Sequence, residues 1–367
     1  MLDKEILRDY NRYRKTRNKQ IFCHAPFTSL NFEQNGNATV CCYNRKHILG
    51  TYPRDTIRDM WFGESAEQLR NFMKKNHLPL GCELCYDQFQ SRNFAGLRAN
   101  SYDSFADLVY FEKKGRFFSM PKVMEFEISN VCNLECTMCN GYFSSSIRRN
   151  REKLDPLVNP YDDSFVDQLK AFIPYLVEAR FLGGEPFLIN IYYDIWDLIS
   201  KLKPDTQIRI TTNGTILNDR VKNLLEKINV NIIVSIDSLE EENYERIRAN
   251  AKFKKLMANF SYFKDYTIRK DTGLCVTVCP MQQNWHELPN FLRFCNERNI
   301  YLYFNTVTYP PEATLQTLGF EELCKIVDYL KSFHSYEKNL VEKSNNSQYR
   351  DVVNQISFYR DNAFKTE

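Results

Sequence analysis

The chain has 367 residues, of which 43% are apolar and 14% aromatic, enough for a large core and for more than one domain. A formal charge of +3 calls for neither a nucleic-acid nor a membrane-surface partner, and no stretch approaches the ~18 apolar residues of a membrane span. The N-terminus lacks the apolar core and small-residue cleavage site of an export signal, so the expected location is cytoplasmic. Twelve cysteines in such a chain argue against a disulfide framework and for metal or redox chemistry.

In chain order, residues 1–20 carry seven Lys/Arg against three Asp/Glu and read as a basic, solvated helix. Residues 21–95 read as a small α+β domain. Within it, residues 27–43 form a predicted hairpin turning on Asn35-Gly36, a pair suited to a type I′ turn. That turn would set Cys41 opposite Leu30, on the face of Phe32, and Cys42 opposite Ser29 on the other face. A helical stretch, "DTIRDMWFGESAEQLRNFMKKN", and the sequence "LPLGCELC" follow, then a helical connector over 96–119.

From Lys122 the runs "KVMEFEIS", "EARFLGG", "QIRITTNG", "NIIVSIDS", "GLCVTVCP" and "IYLYFNTV" alternate with amphipathic stretches. Strands separated by helix-length segments predict βαβ units and a parallel sheet. The expected fold class is therefore α/β: a partial (β/α)6 TIM-type barrel over 120–310, preceded by the small N-terminal domain. The tail, 311–367, reads as helical, with one clear helix, "FEELCKIVDYLKSF", and then a polar stretch, "EKSNNSQ".

The strongest chemical signal is "CNLECTMC", which places Cys132, Cys136 and Cys139 just after the first barrel strand. Three thiolates on one short loop can close around three corners of an iron–sulfur cube and leave the fourth iron open to a ligand. This loop resembles that of the radical S-adenosylmethionine (SAM) enzymes, and further motifs follow in the family's order. "GGEP" (Gly183, Gly184, Glu185, Pro186) is similar to the glycine motif whose main chain and Glu185 would hold the amino group of SAM. "TTNG", with Asn213, and "SID", with Ser235 and Asp237, resemble strand ends that line the SAM site. Arg248 is a candidate partner of the SAM carboxylate. The four motifs sit at C-terminal strand ends, where parallel barrels build active sites.

Cys23, Cys41, Cys82 and Cys85 form a second group, with seventeen, forty and two residues between successive members. The pattern resembles the SPASM/Twitch modules that hold auxiliary clusters, in the shorter form with one auxiliary [4Fe–4S] cluster, because residue 91 is Ser91. In the family this module usually follows the barrel; here it precedes it. A zinc ribbon closed by four cysteines would satisfy the same spacing.

Cys279 ends the fifth barrel strand and is a candidate hydrogen-atom donor, while Cys275, Cys295 and Cys324 read as buried structural thiols. The resemblance implies reductive cleavage of SAM to a 5′-deoxyadenosyl radical, hydrogen abstraction from a peptide or protein substrate, and electrons from flavodoxin or ferredoxin. A small-molecule dehydrogenase or epimerase, and a zinc-stabilised binding protein without activity, are the alternatives.

Overall fold

The computed structural model of the protein describes residues 2–109, 119–333 and 335–363. Its eleven strands are β1 (Ser29–Glu33), β2 (Asn37–Thr39), β3 (Gly50–Thr51), β4 (Val123–Glu127), β5 (Glu135–Cys136), β6 (Glu178–Phe181), β7 (Gln207–Thr212), β8 (Val230–Ser235), β9 (Arg248–Ala249), β10 (Leu274–Val278) and β11 (Tyr301–Phe304). Nine of them make one sheet in the order β11-β10-β8-β7-β6-β4-β1-β2-β3, and β5 pairs with β9 alone. The six expected barrel strands are all present and all parallel.

Side-chain alternation separates the two faces of this sheet. One face is apolar: Phe126 stacks on Phe181 at 4.9 Å, and Phe181 meets Trp196 of the helix Asn190–Leu202 at 5.3 Å. The other residues of each strand point inward and are largely polar, among them Glu125 and Glu127 on β4, Arg180 on β6, Thr211 on β7, Ser235 on β8 and Thr277 on β10. A barrel interior is normally filled with branched apolar side chains. A polar one leaves the C-terminal ends of these strands available for chemistry.

The expected boundary between the N-terminal domain and the barrel runs through a single sheet. β1 pairs in parallel with β4, from Ser29 beside Val123 to Glu33 beside Glu127. Phe32 stacks on Phe126 at 5.7 Å, so the apolar face continues unbroken onto the hairpin. β1 is thus a seventh parallel strand, joined by a pairing between segments some ninety residues apart.

The hairpin register also differs from the expected one. Asn31 faces Thr39 and Phe32 faces Ala38, and the Gly36 N–H closes on the Glu33 carbonyl, which makes a three-residue loop, Gln34-Asn35-Gly36. Gly36 adopts φ +89, and a Cβ there would lie 2.3 Å from the Tyr52 carbonyl oxygen. By this register Cys41 would fall opposite Ser29, not Leu30, and the ladder ends at Thr39 before reaching it.

Two terminal segments depart from expectation. The basic helix, Lys4–Tyr13, is only half solvated: Tyr10 is buried against Phe22, Phe89 and Phe94. Arg14 forms a buried pair with Asp103 at 2.6 Å, and His24 joins it at 2.9 Å. The polar tail is one 24-residue helix, Leu340–Ala363. It is bound by amides: Asn345 accepts from Leu302 N and donates to the Ile300 carbonyl, and Asp351 accepts from Ala95 N. Within the expected connector, Arg98–Leu108 form 3₁₀ turns, and residues 110–118 lie outside the described residues. Among the described residues no helix is long and apolar enough to cross a membrane.

Candidate active site

After β4 the chain forms the loop bearing Cys132, Cys136 and Cys139, all half-buried. Side chains hold its main chain in place: Ser144 donates to the Leu134 carbonyl and Ser146 to the Cys132 carbonyl, each at 2.7 Å. Cys136 lies in the β5–β9 ladder directly opposite Arg248. Burial pushes the thiols of Cys132 and Cys139 up to about 12, so their thiolate forms need a positive centre beside them.

The GGEP turn, after β6, packs onto this loop. Gly183 (φ +79) and Gly184 (φ +49) occupy the left-handed region, and a Cβ on Gly184 would lie 2.2 Å from the Val131 carbonyl oxygen. The Glu185 N–H donates to that same carbonyl at 2.8 Å. Glycine is therefore required both by conformation and by close approach of two main chains.

Glu185 itself does not face an open site. Its carboxylate is buried and accepts from Asn213 N and Thr212 Oγ1, both at 2.8 Å, and from Phe187 N at 3.2 Å. Pro186 starts the single 3₁₀ turn that follows, Pro186–Leu188. Glu185 thus ties the glycine turn to the end of β7. Asn213 extends this tie by donating to Asn133 Oδ1 in the cysteine loop at 3.0 Å.

Burial pushes the Glu185 carboxyl up to about 7, although its three donors pull the other way. A carboxyl whose pKa is raised on folding stabilises the fold fully below its unfolded value and loses that contribution as pH rises through the folded value. Stability should therefore fall between pH 4.5 and 7 by at most about 3 kcal/mol from this group. Thermal melts of Glu185→Gln, which cannot ionise, should lack that slope; an unchanged slope contradicts the assignment.

Across the barrel mouth, Asp237 and Arg248 form a buried ion pair at 2.6 Å. Asp237 also accepts from the Cys279 N–H at 2.7 Å, while Arg248 Nη1 points toward Cys136 Sγ at 3.9 Å. Arg248 is therefore part of the cysteine loop's wall. Cys279 is half-buried and packs with Met138, Met281, Ile247 and Val307; burial raises its thiol well above the usual range, so at neutral pH it carries its hydrogen. Ser235, half-buried, pairs in register with Thr277 on the inner face.

The structure brings the second cysteine group together as well. Cys23, Cys41, Cys82 and Cys85 line one small pocket, whose remaining wall is mostly apolar and includes Phe22, Val40, Leu69 and Met73. Amides point at the sulfurs: Ala25 N to Cys23 at 3.5 Å, Asn44 N to Cys41 at 3.4 Å and Asn44 Nδ2 to Cys82 at 3.4 Å. Cys42 lies apart, with its N–H donating to Glu125 on the barrel's inner face. Among the described residues, no three of these or the other cysteine sulfurs lie within 4.8 Å of one another. Tetrahedral zinc, with Zn–S near 2.3 Å, would draw its sulfurs to about 3.8 Å apart. That spacing is wider than a single zinc ion draws its four sulfurs and is compatible with a cluster of several irons.

Between the two groups lies a set of residues that the sequence reading did not single out. Arg45, four positions after Cys41, pairs with Glu127 and Glu33 and lies over the Phe143 ring at 4.8 Å, while Tyr142 donates to Glu33 at 3.2 Å. Arg98 and Arg180 meet on Glu125 at 2.6 and 2.7 Å; burial alone would raise this carboxyl, but the two guanidiniums hold it at about 2. Charged residues on a predicted strand, such as the glutamates of "KVMEFEIS", were the available signal.

Comparison with known proteins agrees with this layout. Residues 126–295 match the profile of the Radical SAM superfamily, and residues 23–86 match that of SPASM, an iron–sulfur cluster-binding domain. GTP 3′,8-cyclase of Vibrio parahaemolyticus is 27% identical over 183 residues, 49% of this chain and 52% of that protein. The chain thus spans about half the length of this curated relative. Among solved structures, it is similar to anSMEcpe with bound AdoMet (16% identity, TM-score 0.44, covering 57% of this chain and 60% of that one). It is also similar to Streptococcus suis SuiB bound to precursor peptide SuiA (13%, TM-score 0.42, 73% and 58%). With one matched segment around each cysteine group, the chain belongs to the radical SAM superfamily of enzymes, which use SAM and a [4Fe–4S] cluster, and it carries an iron–sulfur SPASM domain ahead of its barrel.

Proposed function

We propose that Cys132, Cys136 and Cys139 hold the SAM-binding [4Fe–4S] cluster, and that Cys23, Cys41, Cys82 and Cys85 fully ligate one auxiliary [4Fe–4S] cluster. When bound and reduced, the first cluster supplies the electron that splits SAM into methionine and a 5′-deoxyadenosyl radical. The chain's own part is to position SAM and exclude water. The Gly183–Gly184 main chain and Glu185 would receive the amino group, Asn213 and Ser235 would line the nucleoside side, and Arg248, braced by Asp237, would pair with the carboxylate. The observation that carries this reading is the glycine turn hydrogen-bonded to Val131, within the cysteine loop itself.

The substrate is a peptide or protein from which the radical abstracts a hydrogen atom, with electrons supplied by flavodoxin or ferredoxin. The polar inner face of the barrel supports a polar substrate of this kind. Incubation of the reduced enzyme with deuterated candidate peptides tests it: deuterium should appear in 5′-deoxyadenosine, and its absence with every peptide while a sugar or alcohol donates would refute it.

The position of Cys279 favours a second reading, epimerisation or dehydrogenation of a small molecule. In epimerisation the thiol gives its hydrogen atom to the substrate radical, and the resulting sulfur radical is restored by one electron and one proton from the reductant and solvent. Cys279→Ala should then abolish the inverted product while SAM is still cleaved. An unchanged product and configuration would remove the thiol from the mechanism.

A further inference from the structure

Asn44 is buried, 1% exposed, in the loop that follows Cys41, and it touches two of the four cage cysteines. Its main-chain N–H donates to Cys41 Sγ and its side-chain Nδ2 to Cys82 Sγ, each at 3.4 Å. These two cysteines are separated by forty residues of chain. The same side chain accepts, through Oδ1, from the N–H groups of His47 at 3.0 Å and Lys46 at 3.3 Å. That pair of donors settles the amide orientation. A flipped amide would set its NH2 against two N–H groups and its oxygen against sulfur. Gly81, beside Cys82, adopts φ +98, and a Cβ there would lie 2.2 Å from Asn44 Oδ1, so the glycine makes room for the amide. Four groups, Cys41 Sγ, the His47 and Lys46 N–H groups and Gly81, thus converge to hold one N–H on one sulfur.

We propose that Asn44 sets the reduction potential of the auxiliary cluster, a role that rests on the assignment of Cys23, Cys41, Cys82 and Cys85 as its ligands. N–H donors stabilise negative charge on the coordinating sulfurs. Reduction adds one electron to the cluster, so the reduced form gains more from each donor than the oxidised form, and the potential rises. The effect is strong in a mostly apolar pocket, where little water competes for the sulfurs. Asn44 is a positioning residue, for it acts through the ligands and touches neither substrate nor SAM. The consequence is an auxiliary cluster that accepts an electron more readily than its four thiolates alone would allow.

The test is a dye-mediated redox titration of the reconstituted full chain, followed by electron paramagnetic resonance, with no substrate present. Asn44→Asp keeps Oδ1 and both of its main-chain donors but turns an oxygen toward Cys82. Asn44→Ala removes the side-chain donor without adding charge. Both variants should lower one of the two midpoint potentials, so that at the wild-type midpoint the reduced fraction relative to oxidised falls at least tenfold for Asp, or 59 mV for a one-electron couple. The other midpoint, from the cluster at the SAM site, should not move. Full iron content with both midpoints unmoved would overturn the proposal. So would loss of the auxiliary iron in both variants, which would make Asn44 a structural prop. A wild-type chain that binds only one cluster would instead overturn the ligand assignment itself, before any variant is made.

Discussion

Replacing Cys132, Cys136 and Cys139 together by alanine should abolish 5′-deoxyadenosine formation and remove about half of the iron, four atoms of roughly eight, while the chain stays folded. The first part follows from the ligand assignment, since no other described thiol lies on that loop. Folding should survive because the loop is held by groups other than sulfur: Ser144 and Ser146 bond its carbonyls, and Asn133 is tied to Asn213 and Thr215. Iron analysis, product chromatography and a thermal melt read the three outcomes separately. Full iron retention in this variant would contradict the assignment of these three thiols.

The second large effect is expected at Gly184. Alanine there would place a methyl group 2.2 Å from the Val131 carbonyl and force a side chain into the left-handed region, at a conformational cost of about 1–2 kcal/mol. Neither partner can yield cheaply, because both are main chain. The turn and the cysteine loop must separate, and displacement by about 1 Å in an active site can cost on the order of 100-fold in rate. Gly184→Ala should therefore lower SAM cleavage by about 100-fold, with both clusters still assembled. Cleavage at the wild-type rate would show that the glycine turn does not position SAM.

The parts of this molecule that sequence alone revealed are those governed by local signals. The six barrel strands announce themselves by short apolar runs between amphipathic stretches, and "CNLECTMC" and "GGEP" by residue types that few other structures require. The pairing of β1 with β4 has no such signal, because it joins distant segments and its partner choice is made by the shared aromatic face of Phe32 and Phe126. The extent of the last helix lacks such a signal for a related reason. It is anchored by Asn345, Asp351 and Gln355, polar residues that hydrophobic periodicity counts as solvent-facing. A one-residue difference in loop length moved Cys41 across the hairpin register, as happens whenever Gly takes the third position of a three-residue loop. The partners of Glu185 at the end of β7 are visible only in three dimensions.

The order of the two domains along the chain does not separate their chemistry. The loop that carries Cys41 continues through Cys42 and Arg45 onto Glu125 and Glu127 of the first barrel strand, and Arg45 then reaches the ring of Phe143, just beyond Cys139. Tyr303 on the last barrel strand donates to the Gly96 carbonyl, and Gln88 to Thr306. The N-terminal domain is thus packed on the inner face of the barrel, and paired charges lie between the two cysteine groups.

The central claim is that one chain holds two four-iron clusters and uses one of them to cleave SAM. Anaerobic reconstitution followed by metal analysis and reduction in the presence of SAM tests it most directly. The account predicts roughly eight irons per chain, as two such clusters require, and 5′-deoxyadenosine as a product. Zinc in place of iron, with no 5′-deoxyadenosine formed, would contradict it.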